Sequence, residues 1–299
     1  MEDKEVKVFY FTGLLGSGKT TFIDKTIQDL DPSLKSVVIC AEVGDEDFSE
    51  GVPVEYAGRL SWELFERVQD KYGPDVVFIE DDGQNRPDIP ALVKMLPDSW
   101  VLFQVVCMVN AATFGHFINT APNQVMEKIM VASMVIMNRC TDEIAEYLRD
   151  QSLRMVNRDA EFWLEFVDEH VENYVREGES YFDLSGDLIQ VSADEFPIWY
   201  TEALDYPDRF EGLAVNLGLM VDHDQDTPEY DVAGLWLMTC CEADIAFYPV
   251  ACKKGMLKEF KTEDLVNITA IVRRTEWEEY QGEGPLLEII DANKVDELL

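Results

Sequence analysis

Positive charge is scarce in this chain. Its 299 residues hold 24 Lys and Arg against 60 Asp and Glu, a net charge of −36. So few cations cannot displace phosphate counterions along a strand, which argues against nonspecific nucleic-acid binding. The same shortage argues against attachment to an anionic membrane face. Long apolar runs are missing too. The longest, over residues 100–112, is broken by Gln104 and Asn110. It falls short of the ~20 residues that span a bilayer, so no stable membrane insertion is expected. No secretory signal shows, because Met1-Glu2-Asp3-Lys4-Glu5 is acidic and no cleavage site follows the next apolar run. A cytoplasmic location is expected, with the six cysteines reduced. Histidine is limited to His116, His170 and His223, which show no metal-ligand spacing. Apolar material is ample: 47% of residues are hydrophobic and 11% aromatic. Such a composition builds ordinary cores, and the length gives a soft prior of two domains.

The most informative stretch is Gly13-Leu14-Leu15-Gly16-Ser17-Gly18-Lys19-Thr20-Thr21. It fits the phosphate-binding loop pattern G-x-x-x-x-G-K-[ST]. Gly13, Gly16 and Gly18 let backbone N–H groups turn inward, and Ser17, Thr20 and Thr21 carry the loop into a helix start that attracts anions. Lys19 is expected on the β- and γ-phosphates and the Thr20 hydroxyl on Mg²⁺. The flanks agree: residues 6–11 form an apolar strand, and Phe22, Ile23, Ile27 and Leu30 recur at helical spacing.

Strand and helix signals then alternate. Residues 36–40, 75–80, 101–109, 134–137 and 162–166 read as strands. Helices are expected around Leu60 to Val68, over 91–96 and over 142–156. Continuous apolar strands separated by helices imply a P-loop NTPase α/β fold, its mainly parallel sheet covered on both faces. This nucleotide-binding domain is expected over residues 1–180. Residues 181–212, rich in aromatics and Pro, read as a connector packing across the domain junction. Residues 213–299 carry short strands at 213–221, 235–239, 244–251, 265–273 and 286–291. Five strands in so short a span suggest a small β-barrel, with an OB-type closure as one form.

Three further stations lie at strand ends, where open α/β sheets bind ligands. Glu80-Asp81-Asp82-Gly83 follows an apolar run, and Glu80 is a candidate for Mg²⁺. Ala41-Glu42-Val43-Gly44-Asp45 offers Glu42 and Asp45 to orient an attacking water or contact the metal. Asn138-Arg139-Cys140-Thr141 stands where an N-K-x-D segment reads guanine. Arg139 would stack on the ring, but Thr141 replaces the aspartate, and a hydroxyl is no paired acceptor.

In order and spacing these four stations resemble the CobW/HypB/UreG family of P-loop GTPases, and its CobW-like branch in particular, over residues 6–166. That branch shows a G-x-L-G-x-G-K-T-T loop, then N-E-F-G-E, E-T-T-G and N-K-x-D. The resemblance implies hydrolysis of GTP with Mg²⁺, coupled to metal homeostasis or metal-cofactor assembly. The loop itself would also take ATP, and a metal-dependent client and a nucleotide-dependent homodimer are the candidate partners. CobW-like proteins usually carry a C-x-C-C metal motif between the second and third stations. Here Cys40 is the sole cysteine between the loop and Glu80. The segments Met238-Thr239-Cys240-Cys241-Glu242-Ala243-Asp244 and Gly282-Glu283-Gly284-Pro285-Leu286-Leu287 are similar to an uncharacterised domain found beside bacterial permeases. That similarity makes a permease partner, served by a regulatory module with negligible turnover, the alternative expectation. Cys240, Cys241 and Cys252 form a candidate thiol site for Zn²⁺. Neighbours in a strand face opposite ways, however, and buried structural cysteine is the commoner case.

Overall fold

A computed structural model describes residues 5–41, 47–151, 153–175, 180–238 and 245–298. The chain divides into two compact units, Met1–Val175 and Arg176–Leu299.

The first unit runs β1 (Val6–Thr12), α1 (Lys19–Asp29), β2 (Ser36–Cys40), β3 (Val54–Tyr56), α2 (Trp62–Tyr72), β4 (Val76–Glu80), α3 (Ile89–Met95), β5 (Trp100–Asn110), α4 (Ala111–Thr120), α5 (Pro122–Met130), β6 (Met134–Cys140), α6 (Asp142–Arg149), β7 (Glu161–Phe166) and β8 (Val171–Asn173). Its eight strands lie in the order β3-β2-β4-β1-β5-β6-β7-β8. All pairings are parallel except that of β7 with β8. β1 and β4 are buried along most of their length, as strands covered on both faces must be. Phe78 stacks on Phe9 at 5.5 Å and tilts against Phe11 at 6.2 Å, and Ile23 of α1 joins the same core. This packing fixes the end of β1 and the start of α1, and so the loop between them.

Two local departures have clear causes. The helix expected over 142–156 ends at Arg149 and gives way to a 3₁₀ turn at Leu153–Met155. Arg149 donates to the Tyr174 carbonyl at 3.0 Å and pairs with Glu172 at 2.8 Å, anchoring the helix end to β8. Residues 111–130, given no element by their periodicity, form α4 and α5. Asn110 ends β5 and caps α4, its Oδ1 accepting from the Ala112 N–H at 3.1 Å.

The second unit comprises β9 (Ile189–Val191), α7 (Phe196–Asp205), α8 (Pro207–Phe210), β10 (Ala214–Val221), β11 (Tyr230–Met238), β12 (Ile245–Lys253), β13 (Leu265–Trp277) and β14 (Gly282–Lys294). Residues 181–212 thus contribute a strand and two helices to this unit. β10 pairs with β11, β11 with β12, β12 with β14, β14 with β13, and β13 back with β10. Counting from β10, the order is 1-2-3-5-4 and back to 1, that of an OB fold, a partly open Greek-key barrel. Its seam is the parallel pairing of β12 with β14, two residue pairs long. Tyr280 closes that seam: its hydroxyl donates to the Pro285 carbonyl at 2.8 Å and accepts from the Ala251 N–H at 2.7 Å. Val215, Leu217, Leu219, Val266, Ile268 and Ala270 alternate inward along the paired strands β10 and β13.

Gly234 lets β11 serve both neighbours. A Cβ there would lie 2.2 Å from the Tyr248 carbonyl oxygen, a backbone atom that cannot step aside. Gly234→Ala is therefore expected to destabilise the second unit by about 1–3 kcal/mol. Urea unfolding followed by tryptophan fluorescence measures this, and an unchanged midpoint would contradict the packing described.

Candidate nucleotide-binding site

The site grows out of the β1–α1 connection. Gly13, Gly16 and Gly18 take φ values of 140°, 74° and 96°, a region that side chains rarely enter. Gly13 and Gly18 are also pressed by neighbours. A Cβ at Gly13 would lie 2.3 Å from the Met108 carbonyl oxygen, and one at Gly18 2.7 Å from Asn138 Nδ2. The loop is thus wrapped against the ends of β5 and β6. Ser17 is buried at its centre.

Lys19 opens α1 and is 2% exposed. Its Nζ donates to the Gly13 carbonyl at 2.9 Å and the Leu14 carbonyl at 3.3 Å, so the cation lies under the loop backbone. Thr20 follows, and its hydroxyl donates to Glu80 Oε1 at 2.8 Å. Glu80 is 2% exposed at the end of β4, and the parallel register pairs it with Phe11 of β1. Cys40, at the end of β2, directs its thiol at Glu80 Oε2 over 3.8 Å. A carboxylate and a hydroxyl meeting at a strand edge form an oxygen donor pair of the kind a hard divalent cation takes. Thr20 and Glu80 therefore fit Mg²⁺, which when bound would neutralise phosphate charge.

Asp81 follows Glu80 just past the end of β4 and is 9% exposed. The Thr12 hydroxyl donates to it at 3.4 Å. Burial pushes the Asp81 carboxyl above the usual range, while a hydrogen bond from Tyr10 pulls the other way. Burial and the nearby Asp81 charge together raise the Tyr10 phenol. Asp82 folds the following turn, its Oδ1 accepting from the N–H groups of Gln84 and Asn85 at 3.0 and 3.1 Å. Gly83 beside it takes φ 66°. Lys128 of α5, missed altogether in the sequence, is 2% exposed and donates to the Asn85 carbonyl at 3.0 Å. Burial lowers its ammonium, with Asp81 opposing that shift. No motif could have revealed it, since a lysine inside a short helix reads as solvated.

On the other flank, Asn138 Nδ2 donates to the Ser17 carbonyl at 2.8 Å and Arg139 Nη1 to the Gly16 carbonyl at 3.0 Å. Both side chains line a cleft of about 280 Å³ with Gly18, Thr21 and Glu165. The structure thus brings the phosphate loop, Glu80 and the Asn138-Arg139 segment to one sheet edge. Glu42 and Asp45 lie outside the described residues, as do Cys240 and Cys241. Cys252 is fully buried on β12 of the second unit, where burial raises its thiol. Among the described residues no three His, Cys, Asp or Glu side chains converge to hold a metal. No described helix is long and apolar enough to cross a membrane.

Residues 7–163 match the family model described as CobW/HypB/UreG, nucleotide-binding domain. The chain belongs to the CobW/HypB/UreG family. Residues 165–298 match a second model, the DUF1980 C-terminal domain. Members of this family are P-loop GTPases, and this chain joins a nucleotide-binding domain of that family to a separate β-rich unit. Solved structures similar to it include hydrogenase maturation factor HypB from Archaeoglobus fulgidus, at 19% identity and a TM-score of 0.40, over 58% of this chain and 86% of that one. Zn(II)-bound YjiA GTPase from E. coli is 16% identical with a TM-score of 0.42, over 83% of this chain and 89% of that one. HypB from Helicobacter pylori in complex with nickel is 16% identical with a TM-score of 0.36, over 54% and 79%. No curated protein matches the chain.

Proposed function

We propose that this CobW/HypB/UreG protein binds GTP and hydrolyses it with Mg²⁺, in service of metal homeostasis or metal-cofactor assembly. The observation that carries this is the Thr20–Glu80 contact of 2.8 Å beside a buried Lys19. A bare glycine turn has no use for a carboxylate from a second strand at the helix hydroxyl. A phosphate and cation site needs both.

Backbone N–H groups from Gly13 to Thr21 would cradle the phosphates, and Lys19 would exchange its carbonyl partners for β- and γ-oxygens. Thr20 and Glu80 would hold Mg²⁺. Glu42 and Asp45 are assigned the attacking water, which must stand in line with the phosphorus. Asn138 and Arg139 would support the base. The metal connection rests on family membership.

Release of γ-phosphate, followed with GTP and ATP in competition, tests the proposal. We expect GTP to compete better than ATP for one site, with slow turnover that needs Mg²⁺. Tight binding without turnover, alone or with candidate clients, would instead favour the regulatory module acting on a transporter. Absence of binding would overturn both.

A further inference from the structure

The cleft beside the phosphate loop holds a carboxylate that none of the four stations includes. Met137 pairs with Leu164 and Cys140 with Phe166. Asn138 and Arg139 together therefore face Glu165 alone. Two residues opposite one make a β-bulge, a device that re-aims side chains. Arg139 sits at φ 60° within it. Asn138 is 7% exposed, and its Oδ1 has no hydrogen-bond partner among the described residues.

Thr141, standing where the base-reading aspartate is expected, is occupied elsewhere. Its hydroxyl accepts from the Ile144 N–H at 3.3 Å as the N-cap of α6. Asp142 is exposed and does not line the cleft. Two other carboxylates do. Glu169 is at the rim, 82% exposed and 3.8 Å from Lys25. Glu165 is half-buried, and its carboxylate makes no hydrogen bond or ion pair with any described residue.

We infer that Glu165 reads the nucleotide base from the neighbouring strand and selects guanine. This rests on the nucleotide-binding function proposed above. Guanine presents two adjacent donors, N1–H and the N2 amine, which match the two oxygens of a carboxylate. Adenine places the bare N1 lone pair beside its N6 amine, so a carboxylate meets one donor and one repelling acceptor. Arg139 stacks along the ring, and the bulge holds it across from Glu165.

The test uses the full chain and fluorescent diphosphates of guanosine, xanthosine and adenosine. Wild type is expected to prefer the guanosine ligand. Glu165→Gln should weaken it about tenfold to hundredfold. The same variant should strengthen the xanthosine ligand, whose C2 carbonyl accepts from the new amide while its N1–H still finds an oxygen. Glu169→Gln should keep the wild-type order. An unchanged guanosine-to-xanthosine ratio in Glu165→Gln, or a switch in Glu169→Gln alone, overturns the inference. Should circular dichroism show Glu165→Gln unfolded, Glu165→Asp replaces it: a shortened carboxylate must weaken guanosine binding, and unchanged affinity overturns the inference. A wild-type protein that binds none of the three ligands brings down the nucleotide site itself, a result distinct from altered base preference.

Discussion

Lys19→Ala is expected to reduce nucleotide affinity about 100-fold or more while the fold survives. Lys19 is 2% exposed and held by the Gly13 and Leu14 carbonyls at 2.9 and 3.3 Å. Charge-assisted contacts to phosphate are the strongest single bonds such a loop makes, and they act where water is excluded. Removing the ammonium also strips donors from two carbonyls, which costs about 1–3 kcal/mol of stability. Calorimetric titration with GTP and a thermal melt on the same sample separate the two effects. Wild-type affinity in the variant would show that the loop is a structural turn.

Glu80→Gln should leave nucleotide binding in chelator nearly intact and remove the gain that Mg²⁺ brings. Gln keeps an oxygen to accept from Thr20, now 2.8 Å from Oε1, so the packing at the end of β4 is conserved. The negative charge is lost, and with it the attraction for a hard cation. A 10- to 100-fold rise in the Mg²⁺ concentration needed for half-maximal phosphate release is expected. An unchanged Mg²⁺ requirement would remove Glu80 from the site.

Local chemistry was legible and register was not. Gly13, Gly16 and Gly18 announce their backbone because only glycine tolerates it, so the loop and its flanking strand and helix could be read directly. Glu80 was legible because an acid after four apolar residues marks a strand end. Arg139 could be named but not understood: its bulge arises in the register shift between β6 and β7, where the facing residue Glu165 comes 26 positions later in the chain. Residues 111–130 were silent because the apolar run of β5 passes straight into α4, and only the Asn110 cap divides them. In the second unit, short strands implied a barrel. The parallel β12–β14 seam and the Tyr280 closure depend on contacts between distant residues that no periodicity encodes.

The most direct test is phosphate release from GTP by the intact chain, with Mg²⁺ and again with excess chelator, beside Lys19→Ala. The site described predicts release by wild type in Mg²⁺, and its loss both in chelator and in the variant. Equal rates in all three conditions would contradict the assignment of Gly13–Thr21 and Glu80 as the site of nucleotide and metal.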